Sequence, residues 1–417
     1  MPSPFAPPQD DPQDHARYLA LVARDARFDG RFFTGVTSTG IYCRPVCAVR
    51  TPRRENCRFF TLAAQAEKAG FRPCLRCRPE LAPRALLWST QDASDILVRE
   101  ALRLLDGQGL SLEASESSAA GMPALAARLG VTDRHLRRVF ETALGVSPLQ
   151  YVQTRRLLTA KQLLTDTDLP VTQVALASGF GSVRRFNAAF AQHYGLNPTQ
   201  LRRSGVAGAR DGACTVRLSY RPPLDAQALL AFFGQRQITG LEEVASAPPG
   251  ALMLRRTVQL AHGTQPARGW LSAEFDPARP LVLLRTSGSL APVLPQVIGR
   301  VRALLDLDAD PAAINAVLHA DFPEGDGLRV PGAFDGFELA VRAVLGQQIT
   351  VAAARTLAQR LVERFGEAVD TPWPALHRLF PTPATLAHAE GDALGQLGIV
   401  RQRQAAIVGL ARAVDSG

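Results

Sequence analysis

The feature that most constrains this 417-residue chain is a cluster of cysteines near its N-terminus. The spacing is C-x3-C at Cys43 and Cys47, then 26 residues, then C-x2-C at Cys74 and Cys77. Two close pairs brought together by a folded loop supply the tetrahedral four-sulfur set that zinc prefers. The spacing therefore predicts a small domain built around one zinc ion. Cys57 has no partner at ligand spacing, and we interpret it as a core thiol.

The N-terminal composition and the lengths of the apolar runs indicate the cellular compartment of the protein. The N-terminus reads MPSPFAPPQDDPQD, which is polar, proline-rich and acidic, and this composition excludes a secretory signal. No uninterrupted apolar run approaches the roughly 18–20 residues that a membrane helix needs. We therefore expect a cytoplasmic protein without a membrane partner, in which clustered cysteines bind metal rather than form disulfides.

The net charge of +9 is distributed unevenly along the chain. Residues 1–205 contain 27 Lys and Arg against 18 Asp and Glu, whereas residues 206–417 contain 20 of each. Because phosphate neutralisation dominates affinity for nucleic acids, an excess confined to one half indicates that this half binds DNA or RNA. A solvated basic surface explains the charge equally well.

Hydrophobic patterns predict a multidomain α+β protein with a disordered leader and four folded segments. Strand-length apolar runs separated by turn residues set the third segment apart from its helical neighbours. The predicted segments are a leader at 1–14, a small four-cysteine zinc domain at 15–85, an all-α domain at 86–205, an α+β domain at 206–325, and the start of an all-α domain at 326–417.

The zinc cluster has two interpretations that spacing does not separate. In one, the metal only folds a small basic module. In the other, four thiolates on a divalent cation carry a net charge near −2 and remain nucleophilic at neutral pH. Neighbouring arginines would then hold a phosphate beside a thiolate; they are Arg44, Arg50, Arg53, Arg54, Arg72, Arg76 and Arg78.

The segments TGIYCRPVC and AGFRPCLRCRPE, within about residues 17–80, resemble the N-terminal domain of the Ada family of adaptive-response proteins. The resemblance implies that zinc-bound Cys43 irreversibly accepts a methyl group from a methylphosphotriester in DNA. It also implies that Thr39, Arg50 and Arg72 lie near the DNA backbone. Methylation would change the charge of the site from about −2 to −1, so DNA affinity would rise and the repair event would act as a switch.

Two helix–turn–helix patterns follow, in MPALAARLGVTDRHLRRVF (122–140) and PVTQVALASGFGSVRRFNAAFAQHYGLNP (170–198). In each, two core residues stand four positions apart, Leu136 with Phe140 and Phe186 with Phe190. Thr132 is a suitable N-cap for the second helix of the first unit. We interpret His135 and His193 as ordinary surface or capping residues. The exposed faces carry Arg134, Arg137, Arg138, Arg184 and Arg185.

Residues 95–203 as a whole, including GVSP and GLNP after the two units, resemble the AraC-type DNA-binding domain. The resemblance implies that both second helices enter successive segments of the major groove, about 34 Å apart along DNA. The arginines would then contact DNA. Surface charge without a DNA contact is the alternative for them.

The second half contains TVRLSYRPPLDAQALLAFFGQRQITGLEEV and GLRVPGAFDGFELAVRAVLGQQITVAAARTLAQRLVERFG. From about residue 213 to its end the chain resembles the AlkA type of DNA-3-methyladenine glycosylase. The resemblance implies that Phe232 lines the base pocket, although a core position explains a phenylalanine equally simply. It implies that Gln348 inserts into the duplex where a damaged base leaves the stack.

The glycosylase resemblance also implies an L-P-G-[IV]-G type turn and a catalytic aspartate, and neither follows Gln348 in the 417 residues. Asp415 falls where that family has ordinary surface. From the sequence we expect glycosylase ancestry and little glycosylase activity of these residues. Cys214 matches no P-C-H-R context, so no second methyl acceptor is predicted.

Together these features predict an adaptive-response protein that repairs alkylated DNA and activates transcription of repair genes. Its partners would be double-stranded DNA, with methylated backbones, promoter sites and alkylated bases, and RNA polymerase, and it would lie with the nucleoid in the cytoplasm. Two rival functions remain at this point. One is an AraC-type transcription factor with a purely structural zinc module, and the other is mainly a DNA-3-methyladenine glycosylase.

Overall fold

The computed structural model describes residues 12–83, 93–107, 118–203, 213–247, 250–263, 265–389 and 392–416. Helices and strands alternate with turns along these ranges. The helices are α1 (Pro12–Ala23), α2 (Ala63–Lys68), α3 (Ala93–Gly107), α4 (Ser118–Arg128), α5 (Asp133–Leu144), α6 (Pro148–Asp166), α7 (Val171–Ala177), α8 (Val183–Tyr194), α9 (Pro198–Arg203), α10 (Ala226–Arg236), α11 (Leu294–Leu304), α12 (Pro311–Leu318), α13 (Gly336–Gly346), α14 (Val351–Phe365), α15 (Pro383–Ala387) and α16 (Arg401–Asp415). The strands are β1 (Phe33–Val36), β2 (Ile41–Cys43), β3 (Cys57–Phe60), β4 (Arg72–Pro73), β5 (Cys214–Ser219), β6 (Glu242–Ala247), β7 (Ala251–Leu260), β8 (Ala267–Phe275) and β9 (Leu281–Thr286).

The N-terminal module, residues 12–83, is a small sheet of order β3-β1-β2-β4 flanked by α1 and α2. β1 pairs antiparallel with β2 and β3, whereas β2 pairs parallel with the two-residue strand β4. Three alanines of α2 are buried, which lets this short helix approach its neighbours closely. Residues 12–14 of the predicted leader belong to α1, and residues 1–11 lie outside the described part of the chain.

The helical domain contains two helix–turn–helix units joined by α6. Thr132 caps α5 by accepting from the His135 amide, and Ser182 caps α8 by accepting from the Arg185 amide. Both helices end at a glycine with positive φ, at Gly145 and Gly195, because this left-handed conformation satisfies the last carbonyls without a Cβ penalty.

The predicted core pairs of both units are confirmed. Leu136, Phe140, Phe186 and Phe190 are all fully buried. Each pair lies on one face of its helix, since residues four apart are neighbours on a helix surface. The arginines of α5 and α8 therefore lie on the opposite, exposed faces of these helices.

The third segment is an antiparallel sheet of order β5-β9-β8-β7-β6 with α10 and α11 packed against it. The stretch DAQALLAFFGQRQ (225–237) predicts a helix within this strand-rich region, and α10 confirms it, with Asp225 capping the helix by accepting from the Ala228 amide. The last segment is helical, and α13, α14, α15 and α16 share a core that also contains Ile238 and Leu241 of the third segment. The predicted fold class, a multidomain α+β protein with these four kinds of domain, is confirmed.

The hydrophobic cores do not follow the predicted domain boundaries. One core contains Phe190 of α8, Val216 of β5 and Leu294 of α11, so the second helix–turn–helix unit and the sheet domain pack together. The boundaries themselves remain predictions. The composition of RRSGVAGARDGA (202–213) predicts a linker and that of DGQGLSLEASESSAAG (106–121) predicts a loop, and both stretches fall largely outside the described residues. The described ends of the second stretch belong to α3 and α4. Among the described helices, none is long and apolar enough to cross a membrane.

Candidate metal centre and nucleic-acid interface

The parallel pairing of β2 with β4 brings the two cysteine pairs together. Cys43 ends β2, and the Cys74 amide, just past β4, donates to the Tyr42 carbonyl at 3.0 Å. A turn closed by the Cys47 amide and the Arg44 carbonyl, 3.1 Å apart, carries the second cysteine of the first pair. The sheet register therefore fixes the separation of the pairs, which sequence spacing leaves undetermined.

The four sulfurs of Cys43, Cys47, Cys74 and Cys77 lie within 4.8 Å of one another. A tetrahedral zinc site with bonds of about 2.3 Å to sulfur places the sulfurs about 3.8 Å apart, so the cluster is compact enough to bind one ion after small shifts. Cys43, Cys47 and Cys74 are buried and Cys77 is half-buried. The predicted cofactor, one zinc ion held by four cysteines, is confirmed by this cluster.

Hydrogen bonds among the thiols show how closely the sulfurs interact. The bond to Cys47 is the main reason that the pKa of Cys43 is raised far above its ordinary value. The same bond lowers the pKa of Cys47 to about 7. A divalent cation suits such a cluster because it binds the deprotonated sulfurs. The Arg44 amide also donates to the Cys77 sulfur at 3.3 Å, which stabilises a thiolate there.

Two arginines near the cluster do not face solvent, and the prediction that they hold a phosphate is wrong. Arg44 is buried, and its Nε donates to Asp29 Oδ1 at 2.8 Å. Arg78 is buried as well and pairs with Glu80 and Asp166. Because a buried charge must be paired, these arginines hold the module together instead.

A buried lysine that the sequence analysis did not identify supports the cluster from the helical domain. Lys161 of α6 donates to the Cys74 carbonyl at 2.9 Å and to Glu80 Oε2 at 2.7 Å. Burial alone would raise the pKa of Glu80, but the charges of Lys161 and Arg78 outweigh it and hold the pKa below its usual value. The only sequence signal for this role is a single lysine within the apolar run LLTAKQLL.

The three residues of the zinc module that were predicted to lie near DNA are exposed. Thr39 lies in the β1–β2 turn, where its hydroxyl donates to the Val36 carbonyl at 3.3 Å. Arg72 lies close to it, because the Arg72 amide donates to the Gly40 carbonyl at 2.8 Å. Arg50 lies in the segment after Cys47. Their contacts with DNA remain a prediction.

The three predicted arginines of the first helix–turn–helix unit line one open groove along α5. Arg134, Arg137 and Arg138 are exposed, and the Arg137 Nε lies 3.0 Å from an Asp133 oxygen. Arg138 lies 3.2 Å from His135 Nδ1. The groove also contains acidic groups, so its arginines are not a uniformly positive surface.

In the second unit, Arg184 and Arg185 are exposed in the first turn of α8. The two units therefore present basic groups on corresponding helices, and their DNA contacts remain predictions. His193, at the other end of α8, is not an ordinary surface residue. Its Nε2 lies 3.1 Å from Glu67 Oε1 of the zinc module, and both side chains are largely buried.

The two residues that the glycosylase resemblance singled out are both exposed. Phe232 of α10 is 38% exposed, so it is not a core residue, and the Arg236 guanidinium lies 3.7 Å from its ring centroid. Gln348 follows α13 with a φ of +56°, a left-handed conformation that is strained for a side-chain-bearing residue. Their roles at a damaged base remain predictions.

The remaining cysteines fit the interpretations made from the sequence. Cys57 is fully buried in β3, and burial raises the pKa of its thiol to about 11. Cys214 is buried in β5, and burial raises its pKa too. Neither thiol is prepared for nucleophilic chemistry, since the thiolate is the reactive form.

Comparison with protein families matches four models in succession along the chain. Residues 16–80 match the metal binding domain of Ada, and residues 125–204 match a helix-turn-helix domain. Residues 215–335 match the AlkA N-terminal domain, and residues 341–415 match the HhH-GPD superfamily of base excision DNA repair proteins. The order of the four models is that of the predicted fusion.

A relative from Mycobacterium tuberculosis, described as a probable bifunctional transcriptional activator/DNA repair enzyme AlkA, is 37% identical over 401 residues. The match covers 94% of this chain and 76% of the relative. The chain belongs to this family of bifunctional Ada/AlkA proteins. It is therefore a DNA repair enzyme of the adaptive response that also regulates transcription, and the predicted fusion is confirmed.

Two proteins of Escherichia coli each match about half of the chain. The DNA-3-methyladenine glycosylase 2 is 34% identical over 200 residues, covering 48% of this chain and 67% of that protein. The bifunctional transcriptional activator/DNA repair enzyme Ada is 30% identical over 216 residues, covering 50% of this chain and 56% of that protein. Both components of the fusion thus have separate relatives.

Proposed function

We propose that Cys43 irreversibly accepts a methyl group from a methylphosphotriester in double-stranded DNA. The observation that carries this proposal is the convergence of four sulfurs within 4.8 Å, in a segment that matches the metal binding domain of Ada. A purely structural zinc site would need the same sulfurs. It would not need exposed basic and hydroxyl groups on the segments that contain the cysteines. Arg50 and Thr39 provide such groups, and Arg72 is exposed as well, although its Nη1 donates to the Tyr194 carbonyl.

In the proposed reaction, the Cys43 sulfur donates an electron pair to the methyl carbon as the bond from that carbon to the phosphate oxygen breaks. The oxygen keeps the bonding pair, so a thioether and a phosphodiester anion form and no proton moves. The zinc ion, when bound, keeps the cysteine sulfurs deprotonated at neutral pH. Because a thioether is not returned to a thiolate in this reaction, each chain reacts once.

Access to Cys43 sets a requirement on DNA binding. Cys43 is buried, and its side chain adjoins a cavity of only about 10 Å³ whose lining includes Leu21 of α1, Val49, Thr51 and Pro52. Part of this lining would have to move before the methyl carbon of a phosphotriester reached the sulfur. Arg50 lies between Val49 and Thr51 in the sequence and is exposed, so it would attract the neighbouring phosphates.

Methylation also provides the regulatory signal in this proposal. Removal of one negative charge from the cluster reduces its repulsion of DNA phosphates, so the two helix–turn–helix units bind promoter DNA more tightly. Activation of repair genes at such promoters brings the protein into contact with RNA polymerase. Because it would act at promoters, we place the protein on the nucleoid in the cytoplasm.

For the second half we propose recognition of alkylated bases. Two observations favour it, namely the exposed Phe232 ring and the left-handed backbone at Gln348 in a turn between two helices. Phe232 would stack on the base that leaves the duplex, and Gln348 would fill the gap. Gln348→Ala should weaken binding to methylated duplex relative to unmodified duplex, and an unchanged ratio would contradict this role.

The experiment for Cys43 uses zinc-loaded full-length protein and DNA whose backbone carries methylphosphotriesters. Trypsin does not cleave between Arg44 and Pro45, so Cys43 and Cys47 occur in one peptide. We expect that peptide to gain the mass of one methylene group, and fragmentation should assign the methyl to Cys43. The Cys57 peptide serves as an internal control, because that thiol is buried outside the cluster.

Promoter binding before and after exposure completes the test. Affinity should rise only in protein that carries the methyl group, and Cys43→Ser should show no rise. If the peptide gains no mass after prolonged exposure and DNA binding stays unchanged, the zinc site is structural and the methyl-transfer proposal is wrong.

A further inference from the structure

The short helix α2 of the zinc module lies between the two helix–turn–helix units and contacts both. Ala64 is buried in the core of the first unit together with Leu136 and Phe140. Ala66, on another face of α2, packs with Leu158 of the connecting helix α6. A helix of the zinc module thus forms part of the packing of the DNA-binding domain.

The first polar contact is made at the C-terminal end of α5. Gln65 Nε2 donates to the Leu144 carbonyl at 3.0 Å, while its Oε1 accepts from the Leu62 amide at 3.1 Å. The amide therefore caps its own helix with one end and α5 with the other. Lys68 Nζ donates to the Gly145 carbonyl at 2.7 Å, where a cation is favoured by the helix dipole.

The second contact is made at the C-terminal end of α8. Glu67 Oε1 lies 3.1 Å from His193 Nε2, and Arg72 Nη1 donates to the Tyr194 carbonyl at 3.5 Å. Glu67 also accepts from the Tyr42 hydroxyl at 2.8 Å and from the Thr154 hydroxyl of α6. One carboxylate thus joins the zinc module, the connecting helix and the second unit.

Both contacts are made at the ends of the helices that carry the exposed arginines. α6 joins the units and packs into both cores, with Val152 in the first and Leu163 in the second. The contacts at the ends of α5 and α8 form a second connection between the units, because both ends are tied to one six-residue helix and the strand beside it. A second connection limits how far α5 and α8 can tilt relative to each other.

We propose that α2 and β4 set the spacing of the two DNA half-sites that the units read, with Gln65, Glu67, Lys68 and Arg72 as positioning residues. This inference rests on the proposed binding of both units to one promoter. It assigns the zinc module a role in sequence selectivity that is separate from methyl acceptance. Loss of one such hydrogen bond should change the spacing preference about fivefold.

The test starts with DNA selected by the zinc-loaded wild-type protein from a pool of random duplexes. Affinity is then measured for the selected site and for versions in which the separation of the two half-sites is one base pair longer or shorter. Wild type should prefer the selected spacing. Gln65→Glu keeps the Oε1 acceptor that caps α2 but loses the donor to Leu144, and Lys68→Gln loses the contact with Gly145.

Each variant should reduce the preference for the selected spacing about fivefold, and the double variant should reduce it further. Arg27→Gln is the charge-matched control for Lys68→Gln, because Arg27 is exposed in the zinc module and its ion pair is with Asp25, two positions away. It should keep the wild-type preference. Zinc content and thermal unfolding show whether each variant is folded.

An unchanged preference in the folded double variant would overturn the inference. A wild type that selects a bipartite site but tolerates every spacing would overturn it as well, while leaving DNA binding by the units intact. A wild type that selects no sequence at all would instead overturn the proposed promoter binding, and the inference with it.

Discussion

The two helix–turn–helix units have the same local structure but are supported in different ways. In the first unit, α3, α4 and α5 form a separate core that Ala64 of the zinc module completes. In the second, Phe186 and Phe190 belong to a core that continues into β5 and α11 of the sheet domain. Two copies of one motif thus depend on different neighbours, and the boundaries between family models do not separate the cores.

Polar contacts strengthen the attachment of the second unit. Gln162 of α6 donates to the Arg217 carbonyl of β5 at 2.9 Å, and the Arg217 amide donates to Asp166 at 3.1 Å. A regulator fused to a glycosylase-like half could be joined by a linker alone. Here instead the second unit and the sheet domain form one packed body, so their stabilities should be coupled.

Zinc removal should have the largest effect and should separate the two units. Structural zinc contributes about 10–16 kcal/mol in small zinc domains, so chelation should unfold the zinc module and release Ala64 and Gln65 from the first unit. We expect hydrogen exchange to accelerate strongly in α5 and much less in α8, which keeps the core it shares with the sheet domain. Equal loss of protection in both helices would show that the units are not supported differently.

Truncation of one core phenylalanine in each unit makes a matched comparison. Phe140→Ala and Phe190→Ala each remove a fully buried ring and should cost about 3–5 kcal/mol. Only Phe190→Ala should lower the urea midpoint of the sheet domain, because only that ring lies in the shared core.

Tryptophan fluorescence reports on this difference. In a Trp88→Phe background, the remaining tryptophans are Trp270 and Trp373, whose rings stack edge to face with centroids 4.8 Å apart. The urea midpoint of this fluorescence signal is then compared between the two variants. If Phe140→Ala lowers it as much as Phe190→Ala does, the whole chain unfolds as one unit.

Local patterns in the sequence predicted the elements and the metal ligands well. Cys43 with Cys47, and Cys74 with Cys77, are recognisable because each pair occupies one short turn. Leu136 and Phe140 are recognisable because a helix brings residues four apart to one face. Both features arise between residues that are close together in the sequence, so a single sequence is enough to recognise them.

Contacts between distant segments were not predictable in this way. From the sequence alone, basic residues such as Arg44, Arg78 and Lys161 are expected at the surface, because charged residues are buried only when partners neutralise them. The partner of Lys161 is Glu80, 81 positions away. Ala64 gives no signal at all, since any helix contains alanines and only the packed structure shows that this one belongs to the core of another domain.

The smallest expected effect concerns charge on the reading helices. The first turn of α5 contains Asp133, which pairs with Arg137, whereas the first turn of α8 has no acidic residue. Asp133→Asn should therefore release Arg137 and remove a repulsive charge, and Thr132 still caps the helix. We expect DNA affinity to rise about threefold at low salt, in keeping with the modest strength of exposed ion pairs.

Fluorescence anisotropy over a range of salt concentrations tests this prediction. The gain should shrink as salt rises, and the slope of log affinity against log salt should steepen by up to about 0.9 if Arg137 gains one phosphate contact. Arg184→Gln, in the second unit, should shift the slope by a similar amount in the opposite direction. If the Asp133→Asn protein binds DNA no better than wild type, the first unit does not place this turn against the DNA backbone. The two units would then differ in their DNA contacts as well as in the domains that pack against them.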